Sequence, residues 1–258
     1  MKYFSVIIAY YKNPAALSLI LKALELQSYQ NFEIIIAEDD NKSEFDFLTN
    51  LKTKIKIKHV YQSEDVGFRK NAALNKALAI CEGTHVVFID GDCIPHHHFL
   101  KAYARHLTDD NICFGRRVMI SPELTSALYK KGDLGLLNFA RIFFSGSKRL
   151  KYLIYLPFII QKRETGIWGH NWGIATHHLI DINGFDEDYH TAGVGEDVDI
   201  EWRLLLKGLK LYTIRFAAIQ FHLHHKENYN NDDVQTGKKL LLQKQKDGFI
   251  RCKNGLIK

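Results

Sequence analysis

Three short apolar runs, at 4–9, 32–37 and 85–90, are rich in β-branched and aromatic residues, and each stops abruptly at polar or acidic residues. Runs of this length and composition read as buried strands. The segments around them carry a helical period. Residues 14–26 open on Pro14 and place Leu17, Ile20, Leu21 and Leu24 on one face, and residues 69–79 form a second helix. Residues 55–60 alternate lysine with apolar side chains, as an edge strand with one wet face would. Strands alternating with helices imply parallel βαβ units, hence an α/β chain with a doubly wound, mostly parallel sheet and helices on both faces. Further along, a helix is expected from Pro95 to about 107, strands at 112–120 and 210–221, and a basic amphipathic helix at 233–247 before a loose tail.

Open α/β sheets bind ligands at the carboxyl ends of their strands. Three successive strands here would deliver Tyr10 or Tyr11, Asp39, and Asp90 with Asp92 to one such rim. Asp90-Gly91-Asp92 supplies two hard oxygen donors around a residue with no side chain, which suits a divalent cation bridging a diphosphate. Aspartate and glycine are also ordinary turn residues, so this pair alone could be a polar turn. Neither GxGxxG nor GxxxxGK[ST] occurs, so no glycine-rich loop cradles a phosphate, and a nucleotide held on this rim would need a metal to neutralise it.

The motifs SVIIAYYKN, EIIIAEDDN, GFRKNAALNKA and FIDGDCIP resemble the nucleotide-binding half of the family-2 inverting glycosyltransferases of GT-A fold. That resemblance implies a UDP-sugar donor held by Ala9, Tyr10, Tyr11, Asp39, Arg69, Asn75, Asp90 and Gly91. Asp39 would bond the uracil and the tyrosines would line the base pocket. Asp90 would contact ribose and metal, and Asp92 would ligate Mn²⁺ or Mg²⁺. The chain departs from the family at Glu38-Asp39-Asp40-Asn41, where Asp-Asp-Gly-Ser is usual, and at Leu74-Asn75, where an Arg-Asn pair is common. Arg69 or Lys70 is then the expected phosphate partner. The later run GHNWGIA, NGFDE, GVGEDVDIEWRL is similar to the carboxyl-terminal segment of galactosyltransferase-type enzymes of the same superfamily. By that likeness Asp197 is the catalytic base, and Trp168, Asn171, Trp172 and Glu196 bind the acceptor. A histidine at the last strand end, His222 with His224 in reserve, completes the metal site. Acids in a first helical turn are also favoured by the helix dipole, so one or two of Glu196, Asp197 and Asp199 could be simple caps. The implied reaction moves a hexose or N-acetylhexosamine, of galactose type, to a glycan or lipid-linked saccharide in bacterial surface polysaccharide or lipopolysaccharide synthesis. The rivals are a sugar nucleotidyltransferase, which would want a basic glycine-rich loop after the first strand, and a non-catalytic sugar- or nucleotide-binding module.

The 258 residues form one continuous domain, read as a nucleotide-sugar half at 1–120, a helical insert at 121–165 and an acceptor and base half at 166–258. The net charge is +6, yet residues 128–163 alone carry eight Lys or Arg against one acid. Because that basicity is local, mixed with Leu, Ile, Phe and Tyr and unaccompanied by any recognition motif, nucleic acid is not an expected partner. The segment is either an inward-packed acceptor wall or a peripheral contact with an anionic membrane. Its apolar stretches are too short to span a bilayer, and Lys12 and Asn13 interrupt the first apolar run too early for a signal peptide. Cys81, Cys93, Cys113 and Cys252 have no ligand spacing and are expected as free thiols in the cytoplasm. His96, His97 and His98 would point three ways on a helix and are not expected to share a metal.

Overall fold

The computed structural model describes residues 1–43, 54–191, 195–226 and 231–258. The first two apolar runs form β1 (Phe4–Tyr10) and β2 (Phe32–Asn41), separated by α1 (Pro14–Glu25). They are followed by β3 (Ile57–Gln62), α2 (Lys70–Ala79) and β4 (His85–Asp90). The order β3-β2-β1-β4 is parallel throughout, so the three expected carboxyl ends do lie at one edge. β2 runs four residues beyond its apolar core, which places Glu38, Asp39 and Asp40 inside the strand rather than in a loop after it.

Alternation along these strands divides the core. Val6, Ile8, Ile34, Ile36, Val87 and Ile89 face α1 and α3 (Phe99–His106) on one side of the sheet. Ile7, Ile35, Val86 and Phe88 face α2, α6 (Thr176–Asp181) and α7 (Glu196–Leu206) on the other. Both layers are closed because successive side chains of a strand point to opposite faces.

Beyond β4 the chain departs from the sequence pattern. The expected strand at 112–120 is two, β6 (Asn111–Phe114) and β7 (Arg116–Met119), broken at Gly115. The strand expected at 210–221 also divides, into β10 (Lys210–Thr213) and β11 (Ile219–His222). Among the described residues the first member of each pair extends the main sheet, in the order β3-β2-β1-β4-β9-β6-β10-β8. There β9 is Trp172–Ala175, antiparallel to β4 and β6, and β8 is Gln161–Arg163. The second members join β5 (Cys93–Pro95) in a small sheet, β5-β11-β7. Apolar residues stand on both sides of each break, at 112–114 and 118–120 and at 211–212 and 216–219, so composition alone reads one strand.

Asn171 fastens this bend. Its backbone is left-handed (φ +57°), its Nδ2 donates to Arg116 O and Ala218 O at 3.0 and 2.9 Å, and its Oδ1 accepts from Tyr103 Oη at 2.8 Å. Its own N–H reaches Phe88 O, and its carbonyl accepts from Gly115 N. One buried residue thus ties β4, β7, α3 and the turn leading into β11 together.

The segment at 121–165 is less helical than expected. It holds α4 (Pro122–Lys131), α5 (Phe139–Phe144), short 3-10 turns at Leu134–Leu136 and Leu150–Leu153, and then β8. Leu128, Leu136 and Ile142 are buried and anchor it to the core. The carboxyl end is α8 (Asn231–Asp247). His96–His98 form the turn before α3, and all four cysteines are free.

Asn171→Ala should cost about 3 kcal/mol in urea unfolding, because it strands two buried carbonyls and a tyrosine hydroxyl. A loss under about 1 kcal/mol would show that the bend is held elsewhere.

Candidate active site

Asp90 is the last residue of β4, and a tight turn follows it. The Gly91 N–H donates to Ala9 O at 2.7 Å, and a Cβ at Gly91 would sit 2.9 Å from that same oxygen and 3.2 Å from Tyr10 Cα. Glycine is therefore needed for the turn to close on β1, because a side chain there would meet the β1 backbone. Beyond the turn, Asp92 Oδ2 lies 3.4 Å from His222 Nε2 and 2.9 Å from His225 Nε2, and the two ring nitrogens are 3.2 Å apart. Burial would raise the Asp92 pKa, but hydrogen bonds with these two rings hold it well below the usual carboxylate range. His225 is raised to about 9, chiefly by its bond to Asp92. One carboxylate and two imidazoles with donor atoms all within 4.8 Å could hold a cation, and Asp90, Asp92 and Cys93 form a second such group beside them.

The second histidine is His225, where His224 was the expected reserve. β11 ends at His222, so the alternation that would carry 224 to the same side as 222 no longer applies. His224 is exposed and donates its backbone N–H to Thr125 Oγ1.

Lys70, at the start of α2, reaches across this rim. Its Nζ is 3.1 Å from Asp90 Oδ1, while Arg117 Nη1 stands 3.5 Å from Asp90 Oδ2. Burial disfavours the Lys70 ammonium, but Asp90, Asp197 and Glu196 outweigh it and raise its pKa. A Cβ at Gly169 would lie 2.5 Å from Lys70 Nζ and 3.0 Å from Asp197 Oδ1, so a larger residue there would intrude between the two. Asp197 Oδ2 accepts the Gly169 N–H at 2.6 Å. Burial first, then the charge of Glu196, raises the Asp197 pKa to about 7, against the pull of Lys70. A carboxylate at a helix N-terminus is ordinarily the more acidic for it; burial and crowding override that, and Asp197 is left a proper base near neutrality. The three first-turn acids of α7 separate cleanly. Asp199 is paired with Arg203 at 2.7 Å inside the core, whereas Glu196 and Asp197 face Lys70. The residues at 193–194 expected in a glycine loop before α7 lie outside the described residues.

On the far side of the rim Asp39 Oδ2 accepts the Arg69 N–H at 2.9 Å, at the start of α2, while its buried Oδ1 has no hydrogen-bond partner among the described residues. Burial raises its pKa to about 6. Of the other expected donor residues, Tyr11 is exposed beside Lys12, but Tyr10 is buried in the core with Ile8 and α1, because alternation turns it inward. The Arg69 guanidinium folds back onto Glu64 O, leaving Lys70 as the cation that faces the acids.

Three expected contacts are corrected by burial. Asn75 spends its amide on Phe185 O, Phe185 N and Glu187, securing the turn after α6. Asn171 is the fastener of the bend. Trp172 is a core ring stacked on Phe88 at 4.4 Å, since β9 places it inside the sheet layer. Trp168 remains 40% exposed, one residue from the Gly169–Asp197 contact. Sequence reasoning missed Arg117, His225 and His170. The last is buried, held neutral by burial with its pKa lowered to about 3, and its Nε2 has no partner among the described residues. Its only signal was its place in GHNWG.

The family model described as "Glycosyl transferase family 2" matches residues 5–179, across β1 to α6. Hyaluronan synthase of Pasteurella multocida is 24% identical over 92% of this chain and 26% of its own length. The crystal structure of GalNAc-T7 with UDP, GalNAc and Mn²⁺ superposes with a TM-score of 0.63 at 12% identity, over 89% of this chain and 45% of that one. S. aureus TarS 1-349 in complex with UDP gives 0.58 at 18% identity, over 93% and 64%. The chain thus spans less than two thirds of each of these proteins, and the two structures share its GT-A fold. With the match covering β1 to α6 and the acids standing on the rim of that fold, the chain belongs to glycosyl transferase family 2.

Proposed function

We propose that the chain is an inverting glycosyltransferase that moves a hexose or N-acetylhexosamine, of galactose type, from a UDP-sugar to a saccharide hydroxyl. The observation that carries this is one rim bearing both a carboxylate–imidazole cluster and, across Lys70, a carboxylate tuned to near neutrality. Paired groups with pKa values pushed apart are the mark of divided roles: Asp92 stays ionised as a ligand, while Asp197 can take a proton. Asp39, with an unpaired acceptor oxygen, suits the ring N–H of uracil. UDP is the nucleotide in two of the superposed structures.

Asp92, His222 and His225 would hold a divalent cation, with Asp90 beside it. The mixed oxygen and nitrogen set favours Mn²⁺ over Mg²⁺, which prefers oxygen alone. When bound, the ion stabilises negative charge on the departing diphosphate. Lys70 adds a fixed positive charge between Asp90 and Asp197, where it can meet a phosphate oxygen and keep the two acids apart. Asp197, oriented by the Gly169 N–H, removes the acceptor proton as the oxygen attacks the anomeric carbon from the face opposite the leaving group. Positioning contributes the larger share of the rate.

A second location-specific reading concerns residues 128–163. Phe139, Phe143, Phe144 and Phe158 are 60%, 50%, 84% and 77% exposed among the basic residues of this segment. Lysines and arginines beside exposed aromatic rings suit the surface of an anionic membrane, where a lipid-linked acceptor would lie. Among the described residues no helix is long and apolar enough to cross a bilayer.

Asp197→Asn should bind UDP normally by calorimetry and lose transfer by about 10² or more. In the unmodified chain kcat/KM should rise with pH through a midpoint near 7, as Asp197 loses its proton, and the variant should lack that limb. Normal transfer by Asp197→Asn would remove the base from this residue, and a chain that binds UDP but transfers to no acceptor would favour a binding module. For the membrane reading, sedimentation with phosphatidylserine-containing vesicles should exceed that with phosphatidylcholine alone. It should fall at high salt and when Phe143 and Phe144 become Ser; equal sedimentation with both vesicles would end that reading.

A further inference from the structure

β7 alternates, and its two arginines serve opposite faces. Arg117 turns to Asp90 and Cys93, on the side of the carboxylate–imidazole cluster. Arg116 turns the other way, and its guanidinium lies 4.4 Å from the Phe114 ring and 4.2 Å from the Trp168 ring. Its Nη1 donates to two backbone carbonyls, Gly115 O and Gly166 O. Among the described residues it makes no ion pair with a carboxylate, although it is largely removed from water. Glu201, an acid that acts on it, is committed through Oε2 to the N–H groups of Gly166 and Ile167. Burial, with the like charges of Arg215 and Arg149 adding to it, lowers the Arg116 pKa to about 10. Its carbonyl and ring contacts leave the guanidinium's charge without an acid to balance it, and a half-buried cation so placed can accept an anion.

Arg149 completes the arrangement. Its guanidinium lies 5.4 Å from the same Trp168 ring. Its backbone there is left-handed (φ +59°), a conformation unfavourable for a residue with a Cβ. The conformation is enforced on both sides. The Lys148 N–H and C=O are paired with Met119, and Arg149 O accepts the N–H of Tyr152, the 3-10 turn that follows. A surface arginine held in an unfavourable backbone state beside a half-exposed tryptophan, one residue from the Gly169–Asp197 contact, is positioned for a ligand rather than for packing.

We propose that Arg116 and Arg149, set against the Trp168 ring, form an acceptor subsite for an anionic group, a carboxylate or a phosphate, carried by the saccharide whose hydroxyl meets Asp197. The proposal deepens the glycosyltransferase reading and rests on it. Trp168, 40% exposed, offers its open surface to the sugar, while the planar guanidiniums suit the oxygens of the anion. Because alternation turns Arg116 away from Asp90 and Asp92, this anion is distinct from the donor diphosphate.

The test uses the whole chain saturated with UDP and Mn²⁺, so that the donor site is filled, and follows tryptophan emission as glucuronate, glucose 6-phosphate or glucose is added. At least one of the two anionic sugars should bind about tenfold or more tightly than glucose, and the one that does tells carboxylate from phosphate. Arg149→Gln should bring that affinity down to the level of glucose while leaving UDP affinity within about twofold. Arg149→Gly, which suits the left-handed backbone and should raise thermal stability, should lose the preference equally, separating ligand binding from a structural role. Equal or absent binding of all three sugars, or anion affinity unchanged in both variants, would overturn the subsite. Failure of UDP to bind before any sugar is added would remove the glycosyltransferase reading, and the subsite with it.

Discussion

Lys70 is the counter-charge on which the rim depends. Asp90, Glu196 and Asp197 converge from β4 and α7 into a space where water is scarce. Two unit charges 4 Å apart interact by about 4 kcal/mol at the effective dielectric of a protein surface. A cluster of like carboxylates would drive α7 away from the end of β4 without a cation between them. Lys70 bonds Asp90 and is acted on by both α7 acids. Its own position comes from the start of α2, where Asp39 receives the Arg69 N–H. Asp39, proposed to meet the base of the nucleotide, therefore also fixes the helix that carries the central lysine.

The same balance distributes acidity. Asp92 has two imidazoles and is held strongly ionised, whereas Asp197 has a backbone N–H, a shared lysine and an acidic neighbour and is raised to about 7. These differences arise from neighbours distant in sequence. Folding places 70 and 169 beside 197, and 222 and 225 beside 92, which is how a strand end and a helix start come to hold carboxylates of such different acidity.

Much of this was legible in the chain, and the limits have physical causes. β1, β2, β4 and α2 follow from apolar runs and periodicity because each is buried by its own pattern, and their parallel order brings Asp39, Asp90 and Asp92 to one edge as expected. The bends at Gly115 and between β10 and β11 left no mark, since apolar residues continue on both sides of each. The inward turn of Tyr10, the burial of Trp172 and the use of Asn75 and Asn171 as internal fasteners depend on which face of an element a residue takes in the folded chain. A motif conveys only that the residue is present. His225 was hidden because β11 stops at His222 and the following turn, not a strand period, brings the ring back to Asp92. The elevated pKa of Asp197 runs opposite to what its helix position implies, and only its three-dimensional neighbours explain it.

The account stands most directly on where a cation binds. A crystal of the chain grown with UDP and soaked in Mn²⁺, measured at a wavelength where manganese scatters anomalously, reads that position without reference to activity. The account predicts a strong anomalous peak in contact with Asp92 and with an imidazole of His222 or His225, on the side of the rim facing the diphosphate. A peak elsewhere, or UDP bound with no manganese at Asp92, would contradict it.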